Sequence, residues 1–356
     1  MTGSIVYGGS PPKGCELCAR GEKAIVFVTG LCSDRCFYCP VSKKKMHRDV
    51  LYVNELRASN TRELVMEIER SGARGAGLTG GEPLMRLDRT LSIIRELKQV
   101  FGEEFHVHLY TSGAHATLST LKTLERTGLD EIRFHPVTQS SLKGLESAVR
   151  HTGISAGIEV PAIPGEEERL LRLAEYLDSI GGEFMNVNEM EASESNALAL
   201  VARGFKVEPN GVTVQGSRET ALRLLRMVEE RGLNVKVHFC PASFKTLVQT
   251  RLRYKNTVER DLQVYERVVQ DFMVEWFDVA LRKAGSERCN KLANVLLEEG
   301  LLFECSDETE AKVCRTYSIE WISELTLEDC ISRVERKRAY PTHSRMVIES
   351  EIILEP

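Results

Sequence analysis

The sequence predicts an α/β protein: a parallel sheet closed or half closed into a barrel, followed by a smaller α+β unit. Three observations carry this. Short apolar runs alternate with segments of helical periodicity from residue 23 to residue 187, in units long enough for parallel crossovers. At 356 residues the chain can hold one domain of barrel size and a smaller one. Near residue 246 the texture changes and the alternation stops. The expected division is an N-terminal arm over 1–22 carrying a CxxC pair, a barrel over 23–245, and a C-terminal α+β substrate or accessory domain over 246–356.

Taken in order, Gly8, Gly9, Pro11, Pro12 and Gly14 make the arm turn-rich and irregular, and Cys15-Glu16-Leu17-Cys18 follows. Residues 23–28 read as a first buried strand, and the loop leaving it holds Cys32, Cys36 and Cys39. A helix over 61–71, spaced by Leu64, Val65 and Ile68, leads to a second strand at 75–79 and then to Gly80-Gly81-Glu82-Pro83. The rhythm continues with strands at 106–110, 131–134, 157–160 and 184–187. Helices at 90–100, 118–126, 142–151 and 166–180 lie between them, and one more strand-like run stands at 235–237. Folds of this kind gather functional groups at strand C-termini. That nominates Thr111, Ser112, His135, Asn188, Glu189 and Glu191, with Glu159 inside the fifth strand.

Three thiolates on one tight loop can hold three corners of a cubic iron-sulfur cluster, whereas closed structural sites use four protein ligands. The missing ligand leaves one iron open to an outside molecule. A zinc-knuckle fragment, or cysteines packed as small hydrophobes, is the other reading, and the position after a first strand weighs against it. Cys15 and Cys18 need two more ligands, and His238-Phe239-Cys240 offers them. A second site of Cys15, Cys18, Cys240 and His238 is therefore expected to hold zinc or an auxiliary iron-sulfur cluster, two unrelated thiol groups being the alternative.

Cys32, Cys36 and Cys39, spaced three and then two residues apart, with Gly80-Gly81-Glu82-Pro83 after the next strand, resemble the motifs of the radical S-adenosylmethionine (SAM) enzymes. The resemblance implies a partial (β/α)6 barrel over roughly 20–245 and a 4Fe-4S cluster on Cys32, Cys36 and Cys39. It also implies SAM chelating the open iron, and reductive cleavage of SAM to a 5'-deoxyadenosyl radical that abstracts hydrogen from a substrate. Gly80, Gly81 and Glu82 would seat the methionine amino group, since glycines let backbone approach a ligand and an ammonium needs acceptors. Alone, that segment is a turn with a helix-starting proline. Tyr38 stands where the family has an aromatic residue near the adenine. The hydroxyls of Thr111 and Ser112 could meet the SAM carboxylate or ribose, and Asn188 and Glu189 could touch cofactor or substrate. Each could equally be a strand cap. No catalytic side chain is assigned, because the hard chemistry belongs to the cofactor. The Pro-Ala-Ile-Pro-Gly run at 161–165 is similar to the adenine-side segment of glycyl-radical activating enzymes related to pyruvate formate-lyase activating enzyme.

With 42% hydrophobic and 28% charged residues the chain reads as globular, and a net charge of -5 argues against coating nucleic acid by bulk electrostatics. No run approaches the ~20 apolar residues of a membrane span and no signal pattern opens the chain, so an oxygen-sensitive cytoplasmic enzyme without membrane partners is expected. Ten cysteines, five of them between Cys15 and Cys39, then point to metal ligation rather than disulfides. An electron donor such as a flavodoxin or ferredoxin is expected, and a macromolecular substrate, RNA or protein. A glycyl-radical protein is the alternative substrate. A non-catalytic zinc-binding nucleic-acid module on Cys15, Cys18, His238 and Cys240 is the alternative of another class. Lys245, Arg251, Arg253 and Lys255 read as a solvated helix face or, more sharply, as a phosphate-contacting patch.

In the last third, Leu262, Tyr265, Val268, Val269, Phe272, Met273 and Trp276 fall at helical spacing and predict one long helix, or two in tandem, over 246–283. A helix over 289–299 capped by Gly300 should run into a strand at 301–304. Strands at 313–321 and 345–353 would flank a short helix begun by Thr326, with Asp329 completing its capping pattern. A helix followed by a hairpin is compatible with a winged-helix-like module. Cys289, Cys305, Cys314 and Cys330 lack metal spacing and should pack as hydrophobes.

Overall fold

The computed structural model describes residues 5–282, 287–308, 311–324 and 330–354. The chain forms two compact units, Met1–Arg253 and Tyr254–Pro356. Among the described residues no helix is long and apolar enough to cross a membrane.

The first unit runs β1 (Ile5–Tyr7), α1 (Lys13–Ala19), β2 (Lys23–Thr29), a hairpin of β3 (Leu51–Val53) and β4 (Leu56–Ala58), α2 (Thr61–Arg70) and β5 (Gly75–Gly80). It continues with α3 (Leu87–Phe101), β6 (His106–Thr111), α4 (Leu118–Thr127), β7 (Glu131–Phe134), α5 (Gln139–His151), β8 (Ser155–Ala162), α6 (Glu167–Ser179) and β9 (Phe184–Glu189). Then come α7 (Ala197–Val201), α8 (Ser217–Glu230), β10 (Lys236–Cys240), α9 (Ala242–Phe244) and a π-helical turn (Lys245–Thr250). The ten strands lie in the order β1-β10-β9-β8-β7-β6-β5-β2-β3-β4. From β2 through β5 to β10 every pairing is parallel, while β1 and the β3–β4 hairpin add antiparallel edges. The edge strands β1 and β4 do not pair with each other, so the barrel is partial, as expected.

Local chemistry sets the helix starts: Asn60, Thr117 and Thr138 each accept a backbone N–H from the first turn of α2, α4 and α5. Gly128, at φ 100°, ends α4 in a left-handed conformation. Every second residue of the parallel strands packs against the helices. Val26, Leu78, Leu109, Ile132, Ile158, Val187 and Val237 join Leu64, Ile68, Ile94, Leu97 and Leu121 in one core. Among the intervening residues, His108, Arg133, Glu159, Asn186 and His238 are polar, and by the two-residue period of a strand they face the barrel interior.

The arm departs from its expected irregularity. Ile5, Val6 and Tyr7 pair with Phe239, His238 and Val237, and the CxxC pair lies on helix α1. That helix approaches the barrel interior: the Gly14 N–H donates to Glu131 Oε2 at 3.2 Å. A Cβ at Gly14 would stand 2.6 Å from both Arg133 Nη2 and His108 Nδ1, so a side chain there would collide with the interior face.

The second unit follows from α10 (Arg251–Asp261), which begins at its border, through β11 (Arg267–Val268), β12 (Val274–Arg282), α11 (Glu287–Glu298), β13 (Phe303–Asp307), β14 (Ala311–Thr316), α12 (Glu320–Glu324), β15 (Ile331–Ala339) and β16 (Val347–Leu354). Its strands form an antiparallel sheet in the order β13-β14-β12-β15-β16, with β11 on β12. The long helix expected over 246–283 therefore ends at Asp261, and 274–282 is a central strand. β12 is buried on both faces, which removes the alternation that separates strand from helix. The winged-helix-like module is replaced by this sheet and its helices, and the 313–321 strand stops at Thr316 before α12. Thr326 and Asp329 lie outside the described residues. Ala293 and Leu296 of α11 pack with Val279, Leu281, Ile331 and Val334. The four cysteines do more than pack: Cys289 is disulfide-bonded to Cys330 and Cys305 to Cys314.

Candidate functional site

The loop after β2 is built on a base that the backbone fixes. The Gly30 N–H donates to Arg48 O and the His47 N–H to Gly30 O, both at 2.8 Å. Thr29 Oγ1 donates to Asp49 Oδ1 at 2.9 Å, and Arg89 and Arg86 bind the same carboxylate. The Arg89 guanidinium, with Arg86 and Thr29, outweighs burial and holds Asp49 down to about 2. Cys32, Cys36 and Cys39 hang from this base, all half-buried. Burial pushes the Cys32 thiol up to about 11.

The second motif docks on the first. Gly81 N–H donates to Thr29 O at 2.8 Å, and Glu82 N–H to Leu31 O at 2.7 Å. A Cβ on Gly80 would fall 2.2 Å from Thr29 O, and one on Gly81 2.3 Å from Leu31 O. Gly80 also sits at φ 141°. Only glycine permits this approach. The Glu82 carboxylate is fully buried and accepts from Leu84 N (3.0 Å), Thr111 Oγ1 (2.9 Å) and Ser112 N (2.7 Å). Glu82 and Thr111 thus brace the ends of β5 and β6 against each other. Ser112 Oγ and Asp34 Oδ2, both buried, are left without a hydrogen-bond partner.

Tyr38 is pinned from both ends. Its hydroxyl lies 2.8 Å from His135 Nε2, and its carbonyl accepts from Asn196 Nδ2 at 2.9 Å. His135 Nδ1 stands 3.0 Å from Glu159 O, an acceptor, so Nδ1 carries the proton and Nε2 receives the Tyr38 hydroxyl. Burial lowers the His135 pKa, which keeps the ring neutral. Ile163 of the 161–165 loop belongs to an apolar cluster with Met190, Leu200 and Val214, against which Phe37 and Tyr38 pack. The two aromatic residues of the cysteine loop and the proline-flanked loop therefore meet.

Asn188 and Glu189 go elsewhere. Asn188 Nδ2 donates to Glu159 Oε1 at 2.8 Å, inside the barrel, and Glu189 Oε2 accepts from Ala242 N at 2.8 Å, bracing the start of α9. Lys245 pairs with Glu191, Arg253 with Glu55 and Lys255 with Glu259. The basic stretch is thereby largely neutralised.

The interior holds a charged network that sequence reasoning missed, apart from Glu159. Arg133, buried, binds Glu131 and Glu159, the latter at 2.7 Å. Burial would raise the Glu131 pKa, but Arg133 and His106 outweigh it and hold the carboxyl near 2. Arg133 occupies an alternate position of a short strand, Glu-Ile-Arg-Phe, and period-2 patterning was the signal that could have found it. Nearby, Asn186 Nδ2 donates to Glu159 Oε2 at 3.0 Å and lies 3.6 Å from Cys15 Sγ, while Asn186 Oδ1 is 3.2 Å from His238 Nδ1. Cys18 and Cys240 are buried. Burial, reinforced by the Cys15 and Cys18 thiols against the pull of Lys245, pushes Cys240 up to about 12. Among the described residues no three His, Cys, Asp or Glu side chains stand in metal-ligating positions, so either cysteine group closes around a metal only by turning its side chains.

A family model described as the Radical SAM superfamily matches residues 26–138, a span that includes both docked motifs. A Methanocaldococcus jannaschii protein, provisionally named a glycyl-radical enzyme activating enzyme, is 33% identical over 353 residues, covering 95% of this chain and 88% of its own length. The chain belongs to the radical SAM superfamily. This radical SAM enzyme is also 32% identical over 186 residues to a Thermococcus kodakarensis protein provisionally named GTP 3',8-cyclase, covering 49% of the chain and 55% of that relative. Among solved structures it is similar to Streptococcus suis SuiB bound to precursor peptide SuiA, at a TM-score of 0.45 and 11% identity over 61% of the chain. It is likewise similar to Escherichia coli coproporphyrinogen III oxidase, at 0.37 and 12% over 61%. The chain spans 48% and 55% of those two structures.

Proposed function

We propose that this radical SAM enzyme holds a 4Fe-4S cluster on Cys32, Cys36 and Cys39, cleaves SAM reductively, and acts on a protein substrate by abstracting hydrogen, as a glycyl-radical activating enzyme does. The observation that carries the cofactor assignment is the junction of the two motifs, in which Gly81 and Glu82 hydrogen-bond to Thr29 and Leu31 at the root of the cysteine loop. The residues present fit both groups. Three half-buried thiols on one loop leave one cluster iron without a protein ligand, and the unpartnered Asp34 Oδ2 in that loop and Ser112 Oγ, next to the backbone N–H that Glu82 holds, call for a polar ligand. When bound, the cluster and SAM supply a one-electron cleavage of the sulfonium that yields a 5'-deoxyadenosyl radical.

The chain's own work is positioning. Gly80 and Gly81 bring backbone close to the methionine end, and Glu82, held by three donors, keeps that backbone and Ser112 in place rather than reaching outward. Tyr38, fixed by His135, presents its ring beside Ile163 and Phe37, where an adenine would find an apolar, water-poor surface. Phe37 stacks on Phe205 at 5.8 Å between ring centroids and helps exclude water. The protein substrate class rests on the near full-length likeness to the Methanocaldococcus jannaschii protein. It is supported over RNA by the acids that neutralise Lys245, Arg253 and Lys255. A flavodoxin or ferredoxin would deliver the electron.

Anaerobic protein reduced with dithionite in the presence of SAM should release 5'-deoxyadenosine, and a cognate glycine-radical protein should then show a glycyl signal by electron paramagnetic resonance. Full cluster iron in a Cys32→Ala, Cys36→Ala, Cys39→Ala triple variant would overturn the ligand assignment. Turnover on RNA with no protein substrate would overturn the substrate class.

A further inference from the structure

We infer that Cys15, Cys18, Cys240 and His238 form a second, closed metal site that takes a zinc ion and pins helix α1 into the barrel interior. The site is separate from the Cys32–Cys39 loop and does not depend on the function proposed above. Its four groups come from two elements whose placement the fold fixes, and they close around the ion by turning their side chains, since among the described residues no three such side chains already stand in ligating positions. Cys15 and Cys18 are three residues apart on α1 and so share one helix face. His238 and Cys240 are two residues apart on β10 and so share one strand face. The register sets His238 beside Asn186 and Cys240 beside Asn188, both of which point to the Glu159 carboxylate inside the barrel. Cys15 reaches the same place, its sulfur 3.6 Å from Asn186 Nδ2. A CxxC pair thus confronts an HxC pair across Asn186.

The hydrogen bonds also settle which nitrogen of His238 is free. Glu159 only accepts, so the 3.0 Å contact from Asn186 fixes the amide with its NH2 toward that carboxylate and its oxygen toward His238. Asn186 Oδ1, 3.2 Å from His238 Nδ1, must then accept, and the ring carries its proton on Nδ1. Nε2 is left with its lone pair. A metal-binding imidazole commonly has this arrangement, its other N–H given to an oxygen that fixes the tautomer. Among the described residues no hydrogen bond takes up the Cys18 or Cys240 sulfur, although both residues are buried. The ammonium groups of Lys23 and Lys245 lie within electrostatic reach of these thiols and would offset the charge of bound thiolates. Three thiolates and one imidazole are a closed structural set for zinc, in contrast to the three-cysteine loop, whose incomplete set suits a cluster with an open iron. The consequence for the fold is a staple. Bound metal would join the arm to the last parallel strand of a barrel whose edges do not meet.

The test is metal analysis of the full-length protein purified anaerobically. Wild type should carry about one zinc per chain in addition to its iron. Cys36→Ala should lose iron and keep zinc, whereas Cys18→Ser or Cys240→Ser should lose zinc and keep iron, so failure of this site and failure of the cluster assignment are distinguishable. Should those serine variants not fold, cobalt(II) exchanged into wild type replaces them as the probe. Expected there are the intense visible bands of a tetrahedral thiolate site, bleached by a thiol-reactive mercurial. Full iron loading with no zinc, zinc content untouched in a folded Cys18→Ser variant, weak octahedral cobalt bands, or a second iron-sulfur signal lost with Cys18 would each overturn the proposal.

Discussion

Glu82 separates a bracing carboxylate from a ligating one. Its two oxygens accept from Leu84 N, Thr111 Oγ1 and Ser112 N at 2.7–3.0 Å, and it is wholly buried. Glu82→Ala strands two backbone N–H groups and one hydroxyl in the interior. At about 1–3 kcal/mol for each buried group left unsatisfied, and with partial relaxation, the expected cost is about 3–5 kcal/mol. For a unit of this size that lowers the melting temperature by about 10 °C. Glu82→Gln keeps an acceptor for Leu84 and Thr111 but turns an NH2 toward the Ser112 N–H, so it should cost less, about 1–3 kcal/mol. The assay is thermal unfolding of cofactor-free protein followed by circular dichroism, with the transition of the unit beginning at Tyr254 as internal reference. If Glu82→Ala melts within about 2 °C of wild type while SAM binding is lost, the carboxylate is a ligand and the bracing argument fails.

Gly81→Ala should abolish iron loading of the cysteine loop or unfold its base, because the new Cβ meets Leu31 O at 2.3 Å; normal cluster content would refute this. Glu131 is held near 2 in the fold against an ordinary 4.5. Its contribution, about 3 kcal/mol, is therefore intact above pH 4.5 and lost as pH falls from there toward 2, and Glu131→Gln should flatten the acid limb of a stability–pH curve. His135→Phe removes the Tyr38 tether while keeping ring volume. It should weaken SAM binding about fivefold with iron content unchanged, as read by isothermal titration, and loss of iron would count against a purely positioning role. Alkylation of denatured, chelated protein without reductant should label six of the ten cysteines, and ten after reduction; ten labels before reduction would exclude the Cys289–Cys330 and Cys305–Cys314 bridges.

The parallel barrel was legible because each of its strands contributes apolar residues to one large core and each helix shows a single apolar face, so local pattern and tertiary burial agree. Where they diverge, reading failed. α1 is only seven residues long, follows Pro12 and contains Gly14, so its helicity comes from its seat against Arg133 and His108, which no local pattern reports. β12 is buried on both faces and mimics a helix stripe. β15 was missed because Arg336, Lys337 and Arg338 look like a solvated run. Their partners Glu275, Asp278, Glu349 and Glu351 lie on β12 and β16, distant in sequence and adjacent only in the sheet. Cysteine spacing identified the three-thiol loop, whose ligands are local. It could not pair Cys289 with Cys330, 41 residues away, and only the register of β13 against β14 brings Cys305 toward Cys314.

Glu159 shows how the polar interior serves the strand ends. Its backbone carbonyl accepts a hydrogen bond from His135 Nδ1–H, which leaves Nε2 to hold Tyr38 in the cysteine loop. Its carboxylate meanwhile binds Arg133, Asn186 and Asn188, and Asn186 in turn orients His238 and approaches Cys15. One strand residue therefore stands in hydrogen-bonded series with the aromatic residue of the first cysteine group and with the histidine of the second. A buried ion pair such as Arg133–Glu159 is weak evidence for stability, since desolvation offsets much of its attraction. What it does supply is a fixed orientation for each amide and imidazole bonded to it, and an interior rigid enough to hold Tyr38 against the apolar cluster of Ile163.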